Sequence, residues 1–261
     1  MASRRSWMPV LAPCCLGVLL VVIWWLTTVS GGVSAYFLPS PGAVARELWD
    51  GLVVYGDMWA YTGTTLLEAL GGCLLGLVIA VPLAVLIYRV RIVAAATVPF
   101  LGATQAIPAI ALAQLLVLWI GYGLSAITVL CALMVFFPIL VSSVVGFRHI
   151  DPEILAAAQV DGAGSFPMLV EIEIPLALHS ILAGVRNGFT LSVTGAVVGE
   201  MVMGGSGLGA LLTIQRDGFD TAGMFASIII LAVMAAIIYS LVAFIERRWS
   251  SITGPLPEGE K

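Results

Sequence analysis

The chain has 261 residues, 61% of them hydrophobic and 10% charged, with a mean hydropathy of +1.10. Soluble domains carry about 25% charged residues, so a water-soluble globular protein is excluded and an all-α, multi-pass membrane protein is expected. The net charge of −4 offers no basic surface for nucleic acid, and Cys14, Cys15, Cys73 and Cys131 sit in apolar runs without the Cys/His spacing of a zinc site, so no metal is expected.

A bilayer core takes about 20 apolar residues per helix. On that ruler six spans are predicted, at 8–29, 61–88, 93–121, 124–147, 178–203 and 222–245. The first follows Arg4 and Arg5, and Val33-Ser34-Ala35 before Tyr36 imitates a signal-peptide cleavage site. Its apolar run is longer than a usual signal core, so it is read as a retained span. The next segment, YFLPSPGAVARELWDGL, places Val44, Leu48 and Leu52 on one helical face and Arg46, Glu47 and Asp50 elsewhere. A short amphipathic helix on the membrane surface is expected there, with packing as its plain role.

The third span contains Pro99 and Pro108, which make it either a bent helix or a broken pair. Gln105, beside Pro108, either satisfies kinked backbone or touches solute. Trp119 and Tyr122 close the span where aromatic belts form, and Trp119 is the second candidate for the solute path.

Positive charge sets the orientation. With the N-terminus inside, the inner side receives Arg4, Arg5, Arg89, Arg91, Arg148, Arg247, Arg248 and Lys261, with Arg186 close by. The outer side receives Arg46 and Arg216. Both termini are then cytoplasmic.

The inner connection after the fourth span contains AAAQVDGAGSFPMLVEIEIP, residues 156–175, and is longer than a connection between two helices requires. Ala156, Ala157, Ala158 and Gln159 favour helix and Gly162 permits a sharp turn. Met168, Leu169 and Ile172 supply one face of a second short helix ending before Pro175. Two short helices with a glycine corner make a knob that a soluble partner could grip.

These residues resemble the cytoplasmic coupling loop in permease subunits of bacterial ABC importers. That pattern is Glu-Ala-Ala, three residues, Gly, nine residues, Ile, one residue, Leu-Pro. Here Ala156-Ala157-Ala158, Gly162, Ile172 and Ile174-Pro175 keep every interval, with Ala156 in place of Glu and Ile174 in place of Leu. The passages LPSPGAVARELW, GATQAIPAIALAQLLVLWIGYG, FFPILVSS and GAVVGEMVMGGSGLGALL are similar to the branch that imports nitrate, sulfonates, taurine and precursors of thiamin or riboflavin.

The resemblance implies one permease domain over 1–261 with a coupling loop at 148–177, in which Ala156, Ala157, Ala158, Asp161, Gly162, Ile172 and Pro175 meet an ATPase. It implies a multi-pass protein of the bacterial inner membrane that moves a small solute by alternating access. A second permease copy, membrane lipid and an extracytoplasmic solute-binding protein are the expected partners. A phosphate-binding loop needs a lysine inside Gly-x-x-x-x-Gly-Lys-Ser/Thr, and the sole lysine is Lys261. ATP and Mg are therefore expected on a separate ATPase subunit, with no cofactor on this chain and no enzymatic activity of its own.

Two other classes compete. Gly204-Gly205-Ser206-Gly207 contains the Gly-x-Ser-Gly of intramembrane serine proteases, but its base would have to be His149 or His179, at the opposite side of a bilayer roughly 30 Å thick. A flexible outer turn is the plainer reading of that glycine run. A stand-alone secondary transporter would show repeated halves and mid-membrane acids; no repeat is evident, and Glu68 and Glu200 are the acids nearest membrane depth. Glu200 is read either as a gate on the solute path or as a tie between helix ends, and Arg186 as an interfacial, snorkelling cation.

Overall fold

The computed structural model describes residues 8–34, 36–104 and 107–253, all helix, turn or coil without strand. Contacts divide the chain into two compact units, Met1–Ala60 with Leu211–Ile230 and Tyr61–Ala210 with Leu231–Lys261.

In the first unit, α1 (Met8–Val29) coincides with the first predicted span. The surface helix is α2 (Pro41–Trp49), begun by Ser40, whose hydroxyl accepts from the Ala43 amide, with Pro41 in its first turn. It continues as a π-helical turn over Asp50–Val54. The apolar face expected from the sequence is the packed one: Val44 is 2% exposed and meets Met58 and Ala226, with Leu48, Leu52 and Phe225 around them. The Trp24 indole donates to the Pro39 carbonyl at 2.9 Å and stacks on Phe225.

The second unit is a helical bundle built on α3 (Met58–Arg89), α6 (Leu124–Arg148) and α9 (Ile174–Met203). Small residues let these helices approach closely. Gly72 and Gly76 of α3 lie against Cys131 and Val135, so α3 runs parallel to α6. Gly146 lies against Ser180, Gly184 against Pro138 and Ile139, and Gly199 against Ile127, so α9 runs antiparallel to both. Parallel α3 and α6 require the chain to return between them. It does so in two pieces, α4 (Arg91–Thr104) and α5 (Ala109–Ile120), with Pro108 extended at the start of α5. The third span is thus a broken pair. Proline has no amide proton for the preceding turn, and the residue before it is pushed out of helical geometry.

The 148–177 segment departs from expectation in its second half. Its first helix is α7 (Pro152–Val160). No separate second helix ends at Pro175: α8 (Ser165–Pro167) passes through a π-helical stretch, Met168–Glu173, directly into α9. A proline ring crowds the carbonyl four residues earlier, and the wider π turn immediately before Pro175 lets the helix pass without stopping. The helix that carries the fifth span therefore starts well before residue 178. The remaining helices are α10 (Leu208–Asp217) and α11 (Thr221–Thr253).

Among the described residues four helices are long and apolar enough to cross a membrane: Met58–Arg89, Leu124–Arg148, Ser165–Met203 and Thr221–Glu246.

Candidate functional site: a projecting loop and a buried carboxylate

At the C-terminal ends of α3 and α6 the chain forms a knob. Asp151 caps α7, its carboxylate accepting from the Glu153 amide at 2.8 Å. The helix closes in a Schellman motif: the Ala163 amide donates to the Ala158 carbonyl at 3.0 Å, and the Gly162 amide to Gln159 at 3.1 Å. Gly162 has φ +86, the left-handed conformation this motif requires. The spacing between the alanine run and Gly162 is therefore the last turn of a helix plus its terminating glycine.

Ala156, Ala157, Asp161 and Gly162 are exposed, Ala158 is half-buried, and Ile172 and Pro175 are half-buried in the helical stretch that follows. The side chains that make the knob unusual were not singled out from the sequence. Val160 is 87% exposed and Phe166 74%, with Ile154 and Val170 also open. The signal that could have found them is an apolar residue on either side of a polar DGAGS corner.

One ion pair fastens the base of the knob, and a second cluster lies further along α9. Arg89, ending α3, donates to Glu173 in the π turn at 2.5 Å. Arg186 of α9 donates to Glu246 of α11 at 2.8 Å, and His179 lies 3.5 Å from the same carboxylate. Arg186 also sits 5.2 Å from the Tyr239 ring centre, so it is a paired residue rather than one reaching for the interface.

At the opposite end of α9 lies Glu200, 1% exposed. Thr65 of α3 donates its hydroxyl to one carboxylate oxygen at 2.7 Å, and the Gly209 amide donates to the other at 2.5 Å. The Leu208 amide donates to the Thr65 hydroxyl oxygen at 2.8 Å. A carboxylate and a hydroxyl thus satisfy the first amides of α10, where the helix dipole favours negative charge. Glu68, one turn along α3 from Thr65, is buried beside them. The glycine run read as a flexible turn is open at Gly204 and Gly205 and tightly packed at Gly207 and Gly209. A side chain on Gly207 would overlap the Glu200 carboxylate, and one on Gly209 would come within 2.5 Å of the Val197 carbonyl.

Thr65 was missed because nothing in the sequence joins residue 65 to residues 200 and 208. Gln105 lies outside the described residues. Trp119 is 72% exposed on α5. Ser206 and His179 lie beyond opposite ends of a stretch of α9 about 36 Å long, too far apart for a nucleophile and its base.

A family model described as the inner membrane component of binding-protein-dependent transport systems matches residues 72–251. The riboflavin transport system permease protein RibX of Chloroflexus aurantiacus is 41% identical over 236 residues, covering 89% of this chain and 88% of that one. The formylaminopyrimidine transport permease protein ThiX of Halalkalibacterium halodurans is 30% identical, covering 93% and 96%. Among solved structures, an inward-facing form of the MetNI methionine ABC transporter superposes with a TM-score of 0.64 at 20% identity, over 81% of this chain and 98% of that one, a likeness of fold. Long apolar helices, a glycine-cornered loop between two of them and the matched model agree: this chain belongs to the inner membrane components of binding-protein-dependent transport systems, the permease subunits of ABC importers.

Proposed function

We propose that this permease is driven by a separate ATPase that docks on the α7 knob, and that two permease copies line a path which opens to each side of the membrane in turn. The observation that carries this reading is the knob itself: a short capped helix, a left-handed glycine corner, and two large apolar side chains, Val160 and Phe166, held in the open. Apolar groups ordered at a surface are suited to burial by a partner. Phe166 is stiffly attached, because the α8 that carries it continues into α9 without a break. Movement of a docked subunit is thereby transmitted along a membrane helix.

Positive charge supports placing this end in the cytoplasm, since Arg89, Arg91 and Arg148 gather here. The return of the chain through α4 and α5, with α1 added to the four long helices, supports six crossings with both ends inside. ATP and Mg reside on the partner ATPase, and an extracytoplasmic binding protein delivers the solute.

The test is reconstitution in vesicles. Uptake should require the ATPase subunit and ATP, and permease alone should be inert with or without an ion gradient. Gradient-driven uptake by permease alone would instead establish a solitary secondary transporter.

A further inference from the structure

A groove of about 430 Å³ opens where α5, α6 and α9 meet, lined by Met134, Phe137, Pro138, Ser142, Asn187 and Leu191 among others. Its depth is fixed by helix geometry. Asn187 stands 16 residues from the end of α9, about 24 Å, which is within the roughly 30 Å of a hydrocarbon core counted from that end. The Asn187 side chain is exposed and, among the described residues, makes no hydrogen bond. A free primary amide inside the hydrocarbon core costs several kcal/mol against lipid, which argues that it faces a wet or solute-filled space. Thr190 and Thr194 continue the exposed polar stripe along α9.

The same groove holds further hydrogen-bonding capacity and one aromatic face. Pro138 has no amide proton to give the Met134 carbonyl, which is left without its helical donor, and both residues line the groove. Ser142 adds a hydroxyl and Phe137 a ring. Charge is missing: residues 92–147 contain no acidic or basic side chain, and Arg186, beside Asn187, is occupied by Glu246 and Tyr239. A carboxylate or sulfonate entering this space would lose hydration without gaining a counter-charge. A volume of this size suits a compact organic ligand.

We propose that this groove is the solute subsite of the path, and that it accepts a neutral, flat heteroaromatic solute, with Phe137 against the ring face and the Asn187 amide, Ser142 hydroxyl and Met134 carbonyl at the ring edge. The inference rests on the permease reading, and its test separates the two. The complete transporter, with its ATPase and binding protein, is reconstituted in vesicles and supplied with riboflavin or formylaminopyrimidine as neutral rings, and with ethanesulfonate or methanesulfonate as charged solutes. Uptake of a neutral ring is expected. Asn187→Leu and Phe137→Leu should raise its KM at least tenfold while subunit ratio and melting temperature stay at wild-type values, and Phe137→Trp should restore the KM. ATP-driven uptake of the charged solutes alone, or of neither class, overturns the solute assignment and leaves the permease standing. Neutral-ring uptake unchanged in both leucine variants overturns the subsite. Uptake that needs no ATPase overturns the permease reading itself.

Discussion

The two ends of α9 break the partition of polar and apolar groups in opposite directions. At one end a carboxylate is sealed in the bundle; at the other, valine and phenylalanine stand in the open. Glu200 has a hydroxyl or amide donor on each oxygen and tolerates no larger neighbour at Gly207 or Gly209. Around Gly162, by contrast, a Cβ would meet nothing within 4 Å. A buried polar group with every partner present is a device of the fold. An ordered apolar group left exposed by the described residues of its own chain is a device for meeting another chain. Buried, satisfied polar groups are costly to disturb, whereas exposed side chains are not, so the two ends should fail differently.

The largest effect is expected at the buried end. Gly209→Ala drives a methyl against the Val197 carbonyl, which is backbone and cannot swing aside. A loss of about 3 kcal/mol is expected, seen as a lower melting temperature with uptake falling in step. Glu200→Gln keeps the shape but supplies one acceptor oxygen in place of two, so one of its bonds to the Gly209 amide and the Thr65 hydroxyl is lost, at about 1–3 kcal/mol. Parallel loss of stability and uptake identifies a tie between helix ends. Lost uptake at unchanged melting temperature would return Glu200 to the solute path and dissolve the contrast.

At the open end, Gly162→Val forces a β-branched residue to φ +86, a local cost of about 1–2 kcal/mol that distorts the corner. The melting temperature of the isolated permease should move little, while recovery of bound ATPase drops. The smallest effect lies in α2. Glu47 is held above the ordinary carboxylate value of 4.5 by partial burial first and then by the negative charges of Asp220, Asp50 and Asp57. The folded state therefore binds this proton more readily than the unfolded one. Its contribution to stability is full below pH 4.5 and fades as pH rises through the raised value. Glu47→Gln should flatten that part of the stability profile by a few tenths of a kcal/mol, since the side chain is only partly buried.

Much of this contrast was legible in the sequence, unevenly. The bounds of α1 and α6 followed from apolar run length, and Gly162 from its place after a helix-forming alanine run. The continuation of α8 into α9 was not legible, because Pro175 reads as a stop unless a π turn precedes it, and no local pattern announces that turn. The break between α4 and α5 was left between two readings, since one proline bends some helices and ends others. Glu200 stood out as an acid in oil, but its role depended on Thr65 and on the first amides of α10, contacts between distant segments that no periodicity encodes. Arg186 looked interfacial for the same reason: Glu246 lies 60 residues away.

The central claim is that the α7 knob is where an ATPase takes hold. Phe166→Glu tests it most directly, because a side chain 74% exposed can change charge without disturbing the fold. The variant permease should insert and melt as the wild type does, yet fail to retain the ATPase through purification and show no solute-stimulated ATP hydrolysis. A variant complex with normal subunit ratio and normal stimulated hydrolysis would contradict the claim.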